Sequence, residues 1–392
     1  MGFEDVHLMD AELFADGPPH ELFKAMRDEA PVRWDPDGFW SVTRDADVAA
    51  VSRDFETFSN YEGGIFLNPD QVNPLDVNRN LLLFKDPPEH TKYRKILQTA
   101  FVPNSVRQLE PQVRALIART IDAVIAAGQC DFVADIAVPI PLGVLAELMG
   151  LPAGDIPKLK RWTDEIEAAQ ISKESAAALP TLGEMSGYLM EQITAQTEAG
   201  ADSLVTKLRA AEVDGDRLTD TEILVFFALL VFAGNDTTRN TASSGTLALL
   251  EHPEQWRALC EEPELIPHAV EEILRYTSVV NYFARTATRD TELGEKRIAR
   301  GDKVVIWYAS ASRDERACRN AQQFDISREE ISHHAFGGGG RHFCLGAGLA
   351  RLELKILFEE LTRRMPALEL AGPVKRLRSS WANSLTAMPV RW

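Results

Sequence analysis

The run from Thr219 to His252 constrains this chain more than any other stretch. Thr219-Asp220-Thr221-Glu222 has the form of a capping box, in which hydroxyl and carboxylate satisfy each other's unpaired backbone donors. The helical pattern it opens continues to Pro253, which disfavours helix at the residue before it. At 1.5 Å per residue such a helix is roughly 45 Å long, the span of a large domain, so the rest of the chain has to pack around it. Ile223 to Phe232 is apolar on all sides, which predicts a buried first half. The longest apolar run, Ile223 to Ala233, falls short of the ~20 residues that cross a bilayer. Then Ala233-Gly234-Asn235-Asp236-Thr237-Thr238-Arg239-Asn240 puts poor helix formers and charge into the middle of the same helix. A break of this kind needs a purpose.

Helical patterning dominates the remainder and β character is confined to short places, so the fold class is mainly α with small sheets. Pro31 to Asp35 and Phe39 to Thr43 flank Asp37-Gly38 and read as a hairpin. A second β region runs from about Asn281 through Arg289 and resumes at Lys303 to Trp307, placing the β-rich parts at about 30–60 and 280–310. No long Pro/Gly/Ser linker and no internal repeat divides the 392 residues, so one domain over residues 1–392 is expected. With 45% hydrophobic residues the chain can bury a large core. Its 42 basic and 59 acidic residues give a net charge of −17, which repels phosphate backbones and sets nucleic acids aside. The four cysteines, at 130, 260, 318 and 344, include no CxxC pair, and the acidic start through Glu12 is unlike a signal peptide. A cytoplasmic protein without a membrane anchor is expected.

Chemistry concentrates in four places. Asp86-Pro87-Pro88-Glu89 resembles a capped helix start, with Asp86 as N-cap; His90 and Arg94 follow on one face of that helix. Glu272 and Arg275, three apart, can form an ion pair, on its own a surface feature worth ~0 to 1 kcal/mol. The third is the helix break. The fourth and densest runs from Ala335 to Arg351, where four glycines, Arg341 and His342 precede Cys344, and an amphipathic helix follows from Leu349. A cysteine at a helix N-terminus has its thiol pKa lowered. Three uses compete: a structural cysteine beside a Gly-rich loop, although no phosphate-loop register fits the glycines; a nucleophile with His342 as base, although no protease or acyl-transfer pattern surrounds it; and an axial thiolate for haem, with glycines allowing backbone to approach a flat macrocycle. His333 and His334 lack zinc-like spacing and are assigned no metal.

Taken together, these motifs resemble the cytochrome P450 monooxygenases in their soluble bacterial form. Phe336-Gly337 through Arg341-His342-Phe343-Cys344-Leu345-Gly346 resembles the cysteine-ligand loop, Glu272-x-x-Arg275 the Glu-x-x-Arg motif, Ala233 to Thr238 the oxygen-activating stretch, and Asp86 to Arg94 the haem-facing helix start. They occur in family order, and the likeness covers essentially the whole chain. Phe336 lies eight residues before Cys344 where seven is commoner, so the loop carries one extra glycine, as in branches acting on steroids and methyl-branched lipids. The segment before Phe324 lacks a proline often found there; Arg328 is placed as the second arginine of a buried cluster with Glu272 and Arg275.

The resemblance implies haem b, with Cys344 as the axial ligand of its iron. It implies propionate partners at His90, Arg94, Arg285 and His342, and further cofactor contacts from Ala233, Gly234, Phe336, Gly337, Arg341 and Gly346. Thr237, bonding back to the carbonyl of residue 233, would open the helix locally and hydrogen-bond oxygen as it is activated; Asp236 would relay protons. The reaction implied is insertion of one atom of dioxygen into a substrate C–H bond, the other leaving as water. Electrons would come from a ferredoxin and its reductase, Arg341 and Arg351 contributing to a basic docking patch, and a monomer is expected. The substrate would be hydrophobic: a steroid, terpenoid, branched lipid or alkyl chain. Its walls would come from the loop at about Gly63 to Phe84, from Phe226, Phe227 and Leu230, from Val279 to Phe283 including Val280, and from Asn383 to Leu385. A haem-thiolate sensor that does not turn over, and a peroxide-driven or rearranging haem enzyme, remain as alternatives.

Overall fold

The computed structural model describes residues 5–67, 79–171, 175–201, 203–213 and 215–392. Six helices position the site: α1 (Asp45–Arg53), α2 (Glu89–Leu97), α3 (Pro139–Met149), α4 (Asp220–Glu251), α5 (Ile266–Thr277) and α6 (Ala347–Arg364). The long central helix is α4. Its capping box forms as the sequence predicts: the Thr219 N–H donates to Glu222 Oε2 at 2.8 Å and the Glu222 N–H to Thr219 Oγ1 at 3.2 Å. It stops at His252, and Pro253 opens the next helix.

Burial along α4 falls the other way from the sequence expectation. Ile223, Phe226, Phe227 and Val231 are buried, but Leu224, Val225 and Ala228 to Leu230 are only partly so, while residues 238–249 are buried throughout. Short polar side chains can be buried there because they bond back to carbonyls four residues earlier: Thr241 to Thr237, Ser243 to Arg239 and Thr246 to Ala242, each at 2.8 Å. Each of these three hydroxyls has an acceptor, so burying them costs little, whereas Ser244 Oγ, buried among them, has no partner among the described residues. Helices α3, α5 and α6 pack against this half. At Gly245 a Cβ would stand 2.4 Å from Ile273 Cγ2, which sets how closely α4 and α5 approach. By length and composition α4 is able to cross a membrane; packed between these helices, it forms the centre of the core.

The larger sheet has strands β1 (Val32–Asp35), β2 (Phe39–Val42), β3 (Phe58–Ser59), β4 (Tyr282–Ala287) and β5 (Lys303–Trp307) in the order β1-β2-β5-β4-β3. β1 and β2 form the expected hairpin, pairing Val32 with Val42 and Asp35 with Phe39; β5 runs parallel to β2 and antiparallel to β4. Alternation along β5 buries both faces: Val305 and Trp307 pack with Phe14 and Phe23, Val304 and Ile306 with Val48 and Val51 of α1. This fixes α1 on one face of the sheet, where it meets the cysteine loop. A hairpin at Thr291–Leu293 and Lys296–Ile298 interrupts the second β region.

Asp86 is not the N-cap of α2. The helix starts at Glu89 with Pro88 in the cap position, and the Asp86 carboxylate accepts the Ser59 hydroxyl and the backbone N–H of Asn60, the latter at 3.0 Å. Two donors presented by the end of β3 and the residue after it use the carboxylate, so Asp86 ties the entry of α2 to the sheet.

Candidate functional site

The cysteine loop is shaped by its glycines. Gly337, Gly339 and Gly340 have φ of 94°, 88° and 75°, which L side chains rarely adopt. At Gly338 the constraint is space: a Cβ would lie 2.0 Å from Ser52 Oγ and 3.0 Å from the Val48 carbonyl, so the loop rests directly on α1. Gly338→Ala is expected to cost about 1 to 3 kcal/mol in denaturant unfolding. Adding Ser52→Gly should recover part of that loss; no recovery would mean that the contact is not what limits the loop.

The Cys344 N–H donates to the Phe336 carbonyl at 2.9 Å, closing the loop. Gly346 caps α6, and the backbone N–H groups of Gly346 and Ala347 point to the Cys344 sulfur. The expectation of a lowered thiol pKa is reversed. Cys344 presents accessible surface, but the protein packed around it pushes its thiol up; the two N–H groups and the cations Arg94 and Arg351 only partly offset that. A bound cation is the natural way to hold this sulfur as thiolate.

Around the loop stand the expected cationic and imidazole groups. His90 of α2 is buried, its ring centroid 4.2 Å from that of His342, and neither nitrogen of His90 nor Nε2 of His342 has a partner among the described residues. Arg94, one turn along α2, donates to the Phe343 carbonyl at 2.6 Å. Arg285 of β4 is buried and donates to the Ala284 carbonyl at 2.8 Å. Burial first, then the charges of Arg94 and Arg341, lower the His90 pKa to about 4; burial, Arg285, His90 and Arg94 hold that of His342 well below its ordinary value. The structure therefore brings His90, Arg94, Arg285 and His342 into one neighbourhood whose open valences suit anionic oxygens. Arg341 lies at the edge of this cluster: it is exposed, packs over the Phe55 ring at 4.8 Å and reaches Thr91 Oγ1 at 3.3 Å, while its charge still reaches His90.

On α4 the Thr237 hydroxyl donates to the Ala233 carbonyl at 2.8 Å, as the sequence suggests. The helix nevertheless runs unbroken from Asp220 to Glu251, so the expected local opening is not seen. The back-bond satisfies the hydroxyl without ending the helix. Asp236 lies 3.2 Å from Arg239, and Asn235 Nδ2 reaches Asp236 Oδ1 at 3.3 Å. Behind the loop, Arg275 binds both oxygens of Glu272 at 2.7 Å, and Arg328 Nε completes the cluster at 3.2 Å. All three are buried, and the arginines also donate to carbonyls from Ser312 to Gln323. The buried cluster that the resemblance implies is present, and it is the knot that fixes the chain entering the cysteine loop.

Comparison with known proteins gives this geometry its context. The cytochrome P450 family model matches residues 189–365. A steroid C26-monooxygenase of Rhodococcus jostii is 35% identical over 400 residues, covering 99% of this chain and 84% of that protein. The chain belongs to the cytochrome P450 family. A methyl-branched lipid omega-hydroxylase of Mycobacterium tuberculosis is 37% identical over 407 residues, covering 99% of this chain and 95% of that protein. Among solved structures, a Mycobacterium marinum P450 in complex with pseudoionone superposes with a TM-score of 0.91 at 33% identity, over 100% of this chain and 99% of that one. A Bacillus megaterium P450 in complex with testosterone gives 0.86 at 30%, over 95% and 99%. The enzyme is thus a P450 monooxygenase with the P450 fold; its cofactor is haem b, and it uses dioxygen, a hydrophobic substrate and redox partners. The residues present fit that cofactor: the orphaned nitrogens of His90 and His342, beside Arg94 and Arg285, are groups of the kind that could meet two propionates.

Two parts of this P450 escaped sequence reasoning. Arg351 of α6 grips Glu271 with both ends of its guanidinium, Nε to Oε1 at 2.6 Å and Nη2 to Oε2 at 2.8 Å, and His333 Nε2 stands 3.2 Å from the same carboxylate. Burial opposes ionisation of Glu271, but the Arg351 and His333 bonds prevail and hold its pKa at about 2, against 4.5 for the free side chain. A depressed acid pKa contributes stability above the unfolded value that is lost as pH falls through the folded one. Unfolding free energy is therefore expected to drop by about 3 kcal/mol between pH 4.5 and 2 on this account. Glu271→Gln should flatten that part of the profile; an unchanged acid limb would remove Glu271 as its source.

The other part is aromatic. Phe66 meets Phe84, Phe283 and Trp381 with ring centroids 5.9, 6.0 and 5.8 Å apart, and Trp381 stacks on Phe232 at 6.1 Å. Of the expected substrate contacts, Phe283, Val280 and Leu230 keep partial exposure. Phe227 has none, and Phe84 and Leu385 have 2%, so these three are packed into the core and offer little surface to a ligand. Residues 68–78 of the expected substrate loop lie outside the described residues.

Proposed function

We propose that this P450 is a ferredoxin-dependent hydroxylase of unactivated C–H bonds in a steroid, terpenoid, methyl-branched lipid or alkyl chain. The observation that carries the site assignment is the convergence of paired, unsatisfied imidazoles and two arginines on the loop that presents Cys344. In this reading Cys344 would hold the haem iron through its sulfur, its own backbone fixed by the Phe336 carbonyl and the sulfur met by the amides at the start of α6. His90, Arg94, Arg285 and His342 hold the propionates. When bound, haem supplies the oxidising chemistry. The protein would bind and orient substrate, exclude water, and deliver protons: Thr237 Oγ1, its own hydrogen given to the Ala233 carbonyl, would accept a hydrogen bond beside Ala233 and Gly234 and so hold a proton there, and Asp236, its charge steadied by Arg239, would pass protons from solvent. Residues 1–392 act as one P450 domain, a cytoplasmic monomer.

The substrate class is supported by the names of the relatives and by the aromatic group of Phe66, Phe283, Trp381 and Phe232, which offers apolar surface and few polar contacts. The test is a panel of sterols, terpenoids and branched fatty acids, scored for haem spin-state shifts. NADH, a reductase and a ferredoxin are then supplied, and oxygen uptake is compared with hydroxylated product. Matched uptake and product support the proposal. Product formed only from peroxide, or a spin shift without turnover under any donor, would replace it with a peroxide-driven enzyme or a sensor.

A further inference from the structure

We propose that Arg351 is a positioning residue for the Cys344 ligand, acting through Phe336, and not a docking cation for the electron donor. The guanidinium lies over the Phe336 ring, 4.5 Å from its centroid, while both ends of its fork are spent on Glu271 at 2.6 and 2.8 Å. The carbonyl of the same Phe336 accepts the Cys344 N–H at 2.9 Å. Phe336 is buried, and its other neighbours are His333, with ring centroids 5.9 Å apart, and Phe343, at 6.1 Å. Since His333 also stands 3.2 Å from Glu271, one carboxylate fixes two groups that bear on the Phe336 ring.

The arrangement is a clamp made of parts far apart in sequence. Glu271 comes from α5, one residue before the Glu272 knot, which immobilises it. Arg351 comes from α6, whose N-terminus faces the sulfur. Phe336 and His333 belong to the segment leading into the loop. A planar guanidinium can meet a carboxylate with one edge and an aromatic ring with its face, and an ammonium cannot do both. A cation already neutralised by a bidentate partner presents little charge to an acidic protein, which argues against the docking role. Outer groups of this kind orient a metal ligand and tune the metal without touching it.

The test uses the haem-loaded protein and four substitutions: Arg351→Gln, Arg351→Lys, Glu271→Gln and Phe336→Leu. For each, the ferrous–carbon monoxide spectrum is followed in time, the midpoint potential is measured, and KM for a reduced ferredoxin is determined across a salt series. Arg351→Gln and Arg351→Lys should both hasten loss of the thiolate-type carbon monoxide band by about tenfold or more, and Glu271→Gln should hasten it less. Phe336→Leu should produce the same change, and combining it with Arg351→Gln should add little, because both remove one contact. Thiolate bands as durable as the parent's, with only the ferredoxin KM and its salt dependence altered, would overturn the proposal and return Arg351 to the docking surface. Independent, additive effects of Phe336→Leu and Arg351→Gln would also overturn it. Rescue by lysine would show that charge alone suffices, and would exclude the clamp.

Discussion

Replacing Cys344 by alanine abolishes hydroxylation and the thiolate-type optical spectrum, while the far-ultraviolet dichroism of the chain is retained. The effect is expected to be complete because none of the other cysteines lies in the loop that would hold the iron. The remaining cysteines, at 130, 260 and 318, belong to other parts of the fold, partly buried or, for Cys318, fully buried. Fold is expected to survive because the loop's closing contact is between the backbone of residue 344 and the Phe336 carbonyl, which alanine preserves. A thiolate spectrum that persisted in Cys344→Ala would assign the ligand to another residue. Loss of both spectrum and fold would be distinguished by Cys344→Ser, which changes one atom and leaves the packing against α6 intact.

The second large effect is on coupling. Thr237→Ala is expected to keep much of the oxygen uptake but to lower the product formed per oxygen consumed by about tenfold or more, the balance appearing as hydrogen peroxide. The structure allows this to be read as chemistry and not as damage. The Thr237 hydroxyl's hydrogen bond is to the Ala233 carbonyl of its own helix. Alanine is the better helix former, and back-bonding by threonine slightly weakens a helix, so the variant should be at least as stable as the parent. A parent-like product-to-oxygen ratio in a folded Thr237→Ala protein would remove the hydroxyl from the mechanism. Asp236→Asn tests the neighbouring role separately, since it alters the pair with Arg239 as well as proton delivery, and it should slow turnover more than it uncouples it.

Much of this P450 is legible in local sequence because the decisive signals are short in range. The ends of α4 are written in Thr219 to Glu222 and in Pro253, the β1–β2 hairpin in Asp37-Gly38, and the cysteine loop in its glycines. Sequence reading failed where burial or distant partners decide. Four glycines and a helix start suggest a lowered Cys344 pKa, but how deeply a sulfur is set depends on everything packed around it, and burial wins. Asp86 has the pattern of a cap, yet its donors come from Ser59 and Asn60, which only the folded sheet brings near. Hydropathy assigns the apolar half of α4 to the core, but hydroxyl back-bonding lets the polar half go deeper. Glu271 looks like one more charge beside Glu272; its partners lie 62 and 80 residues away, at His333 and Arg351. The aromatic group around Phe66 draws on segments from residue 66 to residue 381 that share no local pattern.

These failures have a common cause. Capping, turn and helix-break signals act over a few residues, whereas pKa values, substrate surface and the support of the ligand loop are set by tertiary packing. The candidate site is assembled from α2, α4, β4 and the loop before α6, so its residue types are visible in sequence and its electrostatics are not.

The most direct test of the whole account is optical. The parent protein is purified with haem, reduced with dithionite and exposed to carbon monoxide. A Soret band at the long-wavelength position of a thiolate adduct, absent from Cys344→Ala, is the predicted result; a band at the shorter wavelength of a nitrogen-ligated or thiol-ligated haem in the freshly prepared parent would contradict it.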